Sequence, residues 1–331
     1  MKRDPVTLRD VEKAEDRIRN YLQPTPAEFS PSLSESLGKS VFLKLEVFQP
    51  IRVFKIRGAL NKILSLSDSE LKRGVMTASS GNHGLAVAHA SRKFGIRSVI
   101  CIPDKANPQK AGAIRAEGAE IVRAGRNYDE AHAYAVELAT KRNLTFIHAF
   151  DDREVIAGQG TCGLEMAEQL PDLEAVVVSI GGGGLISGIA IALKGLLENV
   201  CVYGVQTRAV PSMYESVKEK ERVLVKGTPT IADGMTAQIP GKRTFQIVSR
   251  HVRRIALVDD SAIESAILDL LFSARLLVEP AGAAPLAALK STLRIPEKRV
   301  VLVASGGNIA LPLLSRLMKS RRITAKSSRG H

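Results

Sequence analysis

The stretch GVMTASSGNHGLAVAHASRKFG (74–95) decides the fold. A short apolar strand runs into a Ser/Gly/Asn loop, and the loop opens an amphipathic helix. The pattern repeats downstream. RSVICIP leads to NPQKAGAIRAEG, EIVRAG leads to YDEAHAYAVELATKRN, and TFIHAF (145–150) closes the set. EAVVVSIGGGG, VCVYGVQ, RRIALVD and KRVVLVASGGN read as later buried strands. Short apolar strands alternating with helices predict an α/β protein with doubly wound parallel sheets, covered on both faces. Upstream, TLRDVEKAEDRIRNYL (7–22) has helical spacing with Thr7 as N-cap, VFLKLEVF (41–48) alternates like a strand, and RVFKIRGALNKILSL (52–66) reads as a helix. The compact units at 73–149 predict a small domain inserted into a larger one formed by 1–72 and 150–331. The cleft between them is the expected site.

Bulk properties narrow the class. The chain has 331 residues and 45% hydrophobic content, enough for two domains with sizeable cores. No apolar run reaches the roughly 18 residues of a membrane span. The N-terminal MKRDPVTLRD lacks the apolar segment of a secretory signal. Cys101, Cys162 and Cys201 are odd in number and scattered, which predicts reduced thiols in a cytoplasmic protein and no zinc ribbon. The net charge of +13 is spread along the chain, and aromatics are only 4%, so no nucleic-acid partner is expected. The basic tail MKSRRITAKSSRGH is expected to fray.

Three glycine-rich loops end strands, where ligands of open α/β sheets bind. In SIGGGGLISGIAIALKGLL (179–197), Gly181, Gly182, Gly183 and Gly184 leave backbone N–H groups unobstructed before a helix. That is a cradle for an anion, best a phosphate. A P-loop would need Gly-Lys-Ser/Thr, but Leu185 and Ile186 follow; a dinucleotide fingerprint would need glycine where Ser187 stands. The loop SSGNHG (79–84) adds Ser79, Ser80 and Asn82 as donors and suits a small carboxylate. His83, taken alone, reads as a capping or core histidine. ASGGN (304–308) puts Ser305 at a third tip.

One amine completes the set. In QPIRVFKIRGA (49–59), Lys55 lies between Phe54 and Ile56, with Arg52 and Arg57 nearby. Alone it would read as a snorkelling lysine. With a phosphate cradle, a carboxylate cradle and no nucleotide motif, it points to pyridoxal 5'-phosphate, whose aldehyde a lysine binds as a Schiff base.

These motifs carry a resemblance over about Leu8 to Leu317. The sequence resembles the fold-type-II pyridoxal-phosphate enzymes (tryptophan synthase β-like), in the threonine/serine dehydratase and serine racemase group. The carriers are QPIRVFKIRGA (49–59), SSGNHG (79–84), YDEA (128–131), FDDREVIAGQGT (150–161), GGGGLISG (181–188), TIADG (230–234), EPAGAAPLAAL (279–289) and SGGN (305–308), in the family's order. The resemblance implies that Lys55 is the Schiff-base lysine and that Phe54 packs near the cofactor ring. It implies that Gly181 to Leu185 hold the phosphate and that Asn82 reaches the ring hydroxyl. Ser79, Ser80, Asn82 and His83 would grip the substrate carboxylate. Ser305 would meet the pyridine nitrogen, Glu279 would line that end of the site, and Asp233 would lie toward the substrate.

The same resemblance implies a homodimer or homotetramer. It matches the short catabolic type, without the additional C-terminal regulatory domain of biosynthetic threonine dehydratases. Three departures stand out. Many relatives read TGSFK, where this chain has Ile51, Arg52 and Val53 before Phe54-Lys55. Many have Gln where Leu85 stands. Some relatives bind a divalent metal through Glu and Asp; Gln206 and Ser212 occupy the nearest positions, so no metal is expected. The implied reaction is β-elimination from threonine or serine to a 2-oxo acid and ammonia, with Lys55 as the base. Two rivals stay open: an amino-acid racemase using Ser80 on the opposite face, and a non-catalytic ligand-binding regulator on the same scaffold.

Overall fold

In a computed structural model, residues 4–327 are described. Ten strands form two sheets. The first strands are β1 (Ala27–Phe29) and β2 (Ser40–Leu45), followed by β3 (Val75–Ala78), β4 (Ser98–Ile102), β5 (Glu120–Arg123) and β6 (Thr145–Phe146). Then come β7 (Ala175–Ser179), β8 (Cys201–Thr207), β9 (Val252–Val258) and β10 (Arg299–Ala304). The larger sheet has the order β1-β2-β10-β7-β8-β9, and the smaller has β5-β4-β3-β6. Every pairing is parallel except β1 with β2. β3, β4 and β7 are buried at every residue, and β10 at all but its first, which explains their continuous apolar sequence.

The early helices are α1 (Leu8–Ile18), α2 (Pro31–Leu37), α3 (Lys55–Leu64), α4 (Asp68–Arg73), α5 (Asn82–Lys93), α6 (Pro108–Ala116) and α7 (Tyr128–Lys141). The later ones are α8 (Arg153–Gln169), α9 (Gly184–Leu196), α10 (Ser212–Glu219), α11 (Lys242–His251), α12 (Asp260–Ser273), α13 (Pro280–Ser291) and α14 (Leu311–Ser327). α13 lies in the larger sheet's core with β7 and β10. α3 shares an apolar cluster with α5 and the smaller sheet, through Ile56, Ala59, Leu60 and Ile63 against Val75, Val87 and Ile100. Its other side meets α8, where Gly58 and Gly158 come so close that a Cβ on Gly158 would sit 2.7 Å from the Gly58 Cα. The helix that begins at Lys55 is therefore the seam between the two sheets.

Several elements differ from the sequence reading. β2 stops at Leu45, and a 3-10 turn (Glu46–Phe48) follows. α3 starts at Lys55, three residues later than expected, because Arg52 has a left-handed φ of 62° and Val53 pairs with Gly306. α1 ends at Ile18. β6 is only Thr145–Phe146; the chain then turns, as the His148 Nδ1 accepts the N–H groups of Phe150 and Asp151. The tail expected to fray carries α14 through Ser327, and 328–331 lie outside the described residues. Among the described residues no helix is long and apolar enough to cross a membrane.

Candidate active site

Five residues in a row, Ile147 to Asp151, hold the site together. The Ala149 carbonyl accepts from the Lys55 Nζ at 2.9 Å. The Ile147 carbonyl meets the His83 Nε2 at 3.3 Å. The Phe150 ring packs on the glycine loop so tightly that a Cβ on Gly182 would lie 2.3 Å from it. The Asp151 carboxylate accepts the N–H groups of Lys242, Arg243 and Thr244 at the start of α11. The Thr244 hydroxyl in turn donates to the Gly182 carbonyl at 2.7 Å. One turn therefore touches the amine, the carboxylate-type loop and the phosphate-type loop.

Lys55 is the first residue of α3, and its Nζ lies 5.1 Å from the centroid of the Phe54 ring. Burial lowers its amine to about 8, with the charge of Glu279 pulling the other way. A fraction of a half-buried lysine at this value is neutral near physiological pH and nucleophilic. The Phe54 N–H donates to the Ser305 carbonyl at 3.0 Å, and Ser305 is itself buried just beyond β10. The Glu279 N–H bonds the Gly306 carbonyl at 2.9 Å. The Asn82 amide donates to both Glu279 oxygens, at 2.8 and 3.0 Å, and its oxygen accepts from Asn308. Burial is the main cause that pushes the Glu279 carboxyl up to about 7.

The two cradles sit at helix starts that no side chain caps. Gly183, the N-cap of α9, has a φ of 95°, and a Cβ there would meet Met213 at 2.7 Å and Thr244 at 2.9 Å. The first N–H groups of α9 have no intrahelical partner, a set of donors that fits a phosphate. Leu185, whose N–H is one of these, keeps its side chain in the core. Gly81 is the N-cap of α5, again without a side-chain cap. Ser80 therefore caps nothing, and its hydroxyl has no hydrogen-bond partner among the described residues, while the Ser79 hydroxyl accepts from the Gly81 N–H at 3.2 Å. His83 is buried and lowered to about 3, chiefly by burial and then by the Lys55 charge. Its Nε2 must donate to the Ile147 carbonyl, which only accepts; Nδ1 is then an unpaired acceptor. Toward a carboxylate this residue offers its backbone N–H, not its ring.

The sequence motifs come together here, but several supports were not singled out from the sequence. TFIHAF (145–150) reads as strand, Asn308 has no role assigned by its motif, and nothing near Thr244 or Lys110 gives a signal. Asp233 lies in a 3-10 turn and forms an ion pair with Lys110 of α6, bridging the parts of the molecule built on the two sheets. Gln206 and Ser212 are engaged within the protein, accepting from the Tyr214 N–H and donating to the Ala237 carbonyl. Among the described residues no group of three or more His, Cys, Asp or Glu side chains is placed to hold a metal.

The profile of one family, described as pyridoxal-phosphate dependent enzyme, matches residues 18–306. The chain belongs to this family of pyridoxal-phosphate-dependent enzymes. It is 43% identical to an L-threonine ammonia-lyase of Thermotoga maritima over 313 residues, covering 95% of this chain and 78% of that protein. It is 38% identical to the catabolic L-threonine dehydratase TdcB of Staphylococcus aureus, covering 98% and 95%. Among solved structures, the processed threonine deaminase isoform 2 of Solanum lycopersicum superposes with a TM-score of 0.89 at 35% identity, covering 94% of this chain and 91% of that one. Maize serine racemase does so with a TM-score of 0.90 at 32% identity, covering 97% and 99%. The fold is that of the fold-type-II members, and the cofactor is pyridoxal phosphate. The residues present fit it: a half-buried amine, an uncapped glycine cradle, an aromatic ring and a buried hydroxyl are tied together through the 147–151 turn and the Phe54–Ser305 bond.

Proposed function

We propose that the chain is a threonine/serine ammonia-lyase, converting a 3-hydroxy amino acid to a 2-oxo acid and ammonia. One observation carries the assignment of the site: the Lys55 amine is held by the same turn that packs on the glycine cradle. Bound pyridoxal phosphate supplies an aldehyde for the amine and a ring that accepts negative charge from the substrate Cα. The N–H groups from Gly181 to Leu185 would hold its phosphate, Phe54 would pack against its ring and Ser305 would meet its pyridine nitrogen. Asn82 would reach its ring hydroxyl, and Glu279, which accepts from Asn82, would line the end of the site near Ser305. Ser79, Ser80, Asn82 and the backbone of His83 take the substrate carboxylate. Lys55, lowered to about 8, would remove the Cα proton; the β-hydroxyl takes up one proton and leaves as water, and hydrolysis of the released enamine consumes a water to give the 2-oxo acid and ammonia. A hydroxyl at Ser305, rather than a carboxylate, does not enforce ring protonation, which favours elimination over transamination.

Domain organisation follows the same reading. Residues 73–149 form a small domain inserted into 1–72 and 150–331, with α3 between them. The substrate class is small 3-hydroxy amino acids, the setting is cytoplasmic, and the assembly is a homodimer or homotetramer.

Racemisation is the second reading, and Ser80 favours it, as a half-buried hydroxyl with no partner at the mouth of α5. The test is Ser80→Ala, assayed for 2-oxo acid from L-threonine, L-serine and D-serine and for recovered serine of each hand. An ammonia-lyase keeps most L-substrate turnover and loses roughly 10²-fold or more on D-serine, where a proton is handled on the opposite face. Equal, modest losses on both hands remove Ser80 as a proton carrier. Wild-type protein that interconverts the serines faster than it releases ammonia overturns the lyase assignment.

A further inference from the structure

Beneath α3 lies a buried cluster of four charges that the reaction does not use. Arg57, Lys44 and Glu46 are at most 1% exposed, and Glu165 is 5% exposed. Arg57 grips two carboxylates, each with a two-pronged fork. Its Nε and Nη2 donate to Glu46 at 2.7 and 2.8 Å, and its Nη1 and Nη2 donate to Glu165 at 2.6 and 2.8 Å. Nη1 also donates to the Thr161 hydroxyl at 3.0 Å. All five guanidinium donors are engaged. Lys44 donates to Glu165 at 2.5 Å and to the Thr25 carbonyl at 2.6 Å, and the Thr25 hydroxyl closes the ring on Glu46. Two cations face two anions, so the cluster is neutral. Burial opposes ionisation of Glu46, yet the Arg57 charge outweighs it and takes the carboxyl down to about 2.

Stability alone does not account for such a cluster. Buried ion networks often melt no higher than well-packed apolar residues of the same volume; what they supply is a single allowed geometry. The geometry fixed here is that of α3. Lys55 and Arg57 are two residues apart, so they leave the helix about 200° apart around its axis. Lys55 faces the cleft and Arg57 faces the body. The helix start has no side-chain cap, and its N-cap, Phe54, comes only two residues after the left-handed Arg52. Rotation of α3 would drag the guanidinium out of both forks at once.

We propose that Arg57 is a positioning residue for Lys55: its double fork onto Glu46 and Glu165 sets the rotation of α3 and hence the place of the Lys55 amine. The inference rests on Lys55 being the reacting amine. Holoenzyme of Arg57→Lys, and of the apolar quadruple Lys44→Met, Glu46→Met, Arg57→Met, Glu165→Met, is compared with the parent. The readouts are thermal melting, visible circular dichroism of the bound cofactor, and kinetics with L-threonine at temperatures where each protein is fully folded. In both variants kcat falls about a hundredfold, the effect of displacing a reacting group by about 1 Å, while KM changes little. The cofactor's dichroic band changes, and the quadruple melts no lower than Arg57→Lys. A parental kcat and an unchanged band in Arg57→Lys overturn the proposal, even if the quadruple does not fold. So does a loss of kcat that disappears on cooling, since the cluster would then only stabilise the fold. Lys55→Ala, run alongside, separates the two ideas: turnover in that variant sinks Lys55 as the reacting amine and the positioning role with it, whereas a dead Lys55→Ala beside a fully active Arg57→Lys sinks the positioning role alone.

Discussion

The glycine loop before α9 and the serine-glycine loop before α5 use the same physics and differ in what surrounds it. Both place an uncapped helix start at the C-terminal end of a parallel strand. Around the first loop everything is fixed. Phe150 fills the space over Gly182, Thr244 bonds its carbonyl, and Asp151 locks the helix that carries Thr244. Around the second loop, Ser79, Ser80 and Asn82 stay half-buried, and their side chains bond only neighbours within the site or, for Ser80, nothing among the described residues. A rigid, all-backbone cradle suits a cofactor that stays through every turnover. A loop with free hydroxyls suits a carboxylate that comes and goes. The difference separates holding from handling, and Lys55 stands between the two.

The sharpest test removes the group that both loops serve. Lys55→Ala is expected to fold, to keep the two cradles, and to lose 10³-fold or more in turnover, near the top of the roughly 10²–10⁴-fold range of a general base plus its role as anchor. Arginine does not rescue it, because a guanidinium does not deprotonate. Circular dichroism in the far ultraviolet checks the fold, and 2-oxo acid release checks the loss. Substantial turnover would mean that the amine between the loops is a bystander.

The second test concerns the acid that ties the carboxylate loop to the larger sheet. Burial raises Glu279 to about 7 from an ordinary 4.5, so the fold favours its protonated form. The sign follows. This contribution to stability is complete below about 4.5 and is lost as pH rises through about 7, by roughly 3 kcal/mol in all. Glu279→Gln, neutral at every pH, does not lose it. Urea unfolding of both proteins at about pH 5 and about pH 8 should show the parent losing more stability than the variant between the two. Parallel changes would show that Glu279 ionises in the fold as it does in water.

Much of this contrast was legible in the sequence, and the illegible part has a physical pattern. Strands β3, β4, β7 and β10 announce themselves because burial on both faces makes them continuously apolar. The three loops are legible because glycine and serine at strand ends have few other uses. α8 is different. It is buried on nearly every side, and beside Val155, Ile156, Cys162 and Met166 its buried positions include Gly158, Gln159, Gly160, Thr161 and Glu165, which serve close helix approach and the charge cluster. No apolar stripe marks such a helix. TFIHAF (145–150) reads as strand, and the part its Ile147 and Ala149 carbonyls play toward His83 and Lys55 is backbone work that sequence does not display. Thr244 and Asp151 act from sites 62 and 91 to 93 residues away from their partners, as their bonds to Gly182 and to the start of α11 show. Tertiary pairing of that kind leaves no local trace.

A smaller effect is expected behind the rigid cradle. Thr244→Val keeps the shape and removes the donor to the Gly182 carbonyl. A buried carbonyl left without its partner costs about 1–3 kcal/mol. Because that carbonyl belongs to the loop itself, we expect the loss to appear in pyridoxal-phosphate affinity, weaker by about tenfold, the equivalent of about 1.4 kcal/mol. Melting of the cofactor-free protein should move less. Titration of that protein with pyridoxal phosphate gives the affinity. An unchanged value would mean that the loop is held by Phe150 packing alone, and the cradle would be less dependent on its hydrogen bonds than argued here.

The least effect is expected at the ion pair that, among the described residues, joins the carboxylate loop's side of the molecule to the side built on the larger sheet. Lys110 of α6 meets Asp233, and their side chains are 34% and 62% exposed. Exposed pairs contribute about 0–1 kcal/mol, because water screens the attraction and two long side chains must be held still. If the loop before α5 relies on its own hydroxyls and backbone to handle the substrate, Lys110→Ala should raise KM for L-threonine by no more than about fivefold, the equivalent of about 1 kcal/mol, and leave kcat nearly unchanged. Added salt should shrink the difference further, since it screens the same charges. Steady-state kinetics at low and high salt measure both. A loss of kcat that persists in high salt would reverse the reading. The pair would then be holding the two sides of the cleft in register, and the half-buried loop would owe its handling of substrate to a clasp across the cleft and not to its own donors.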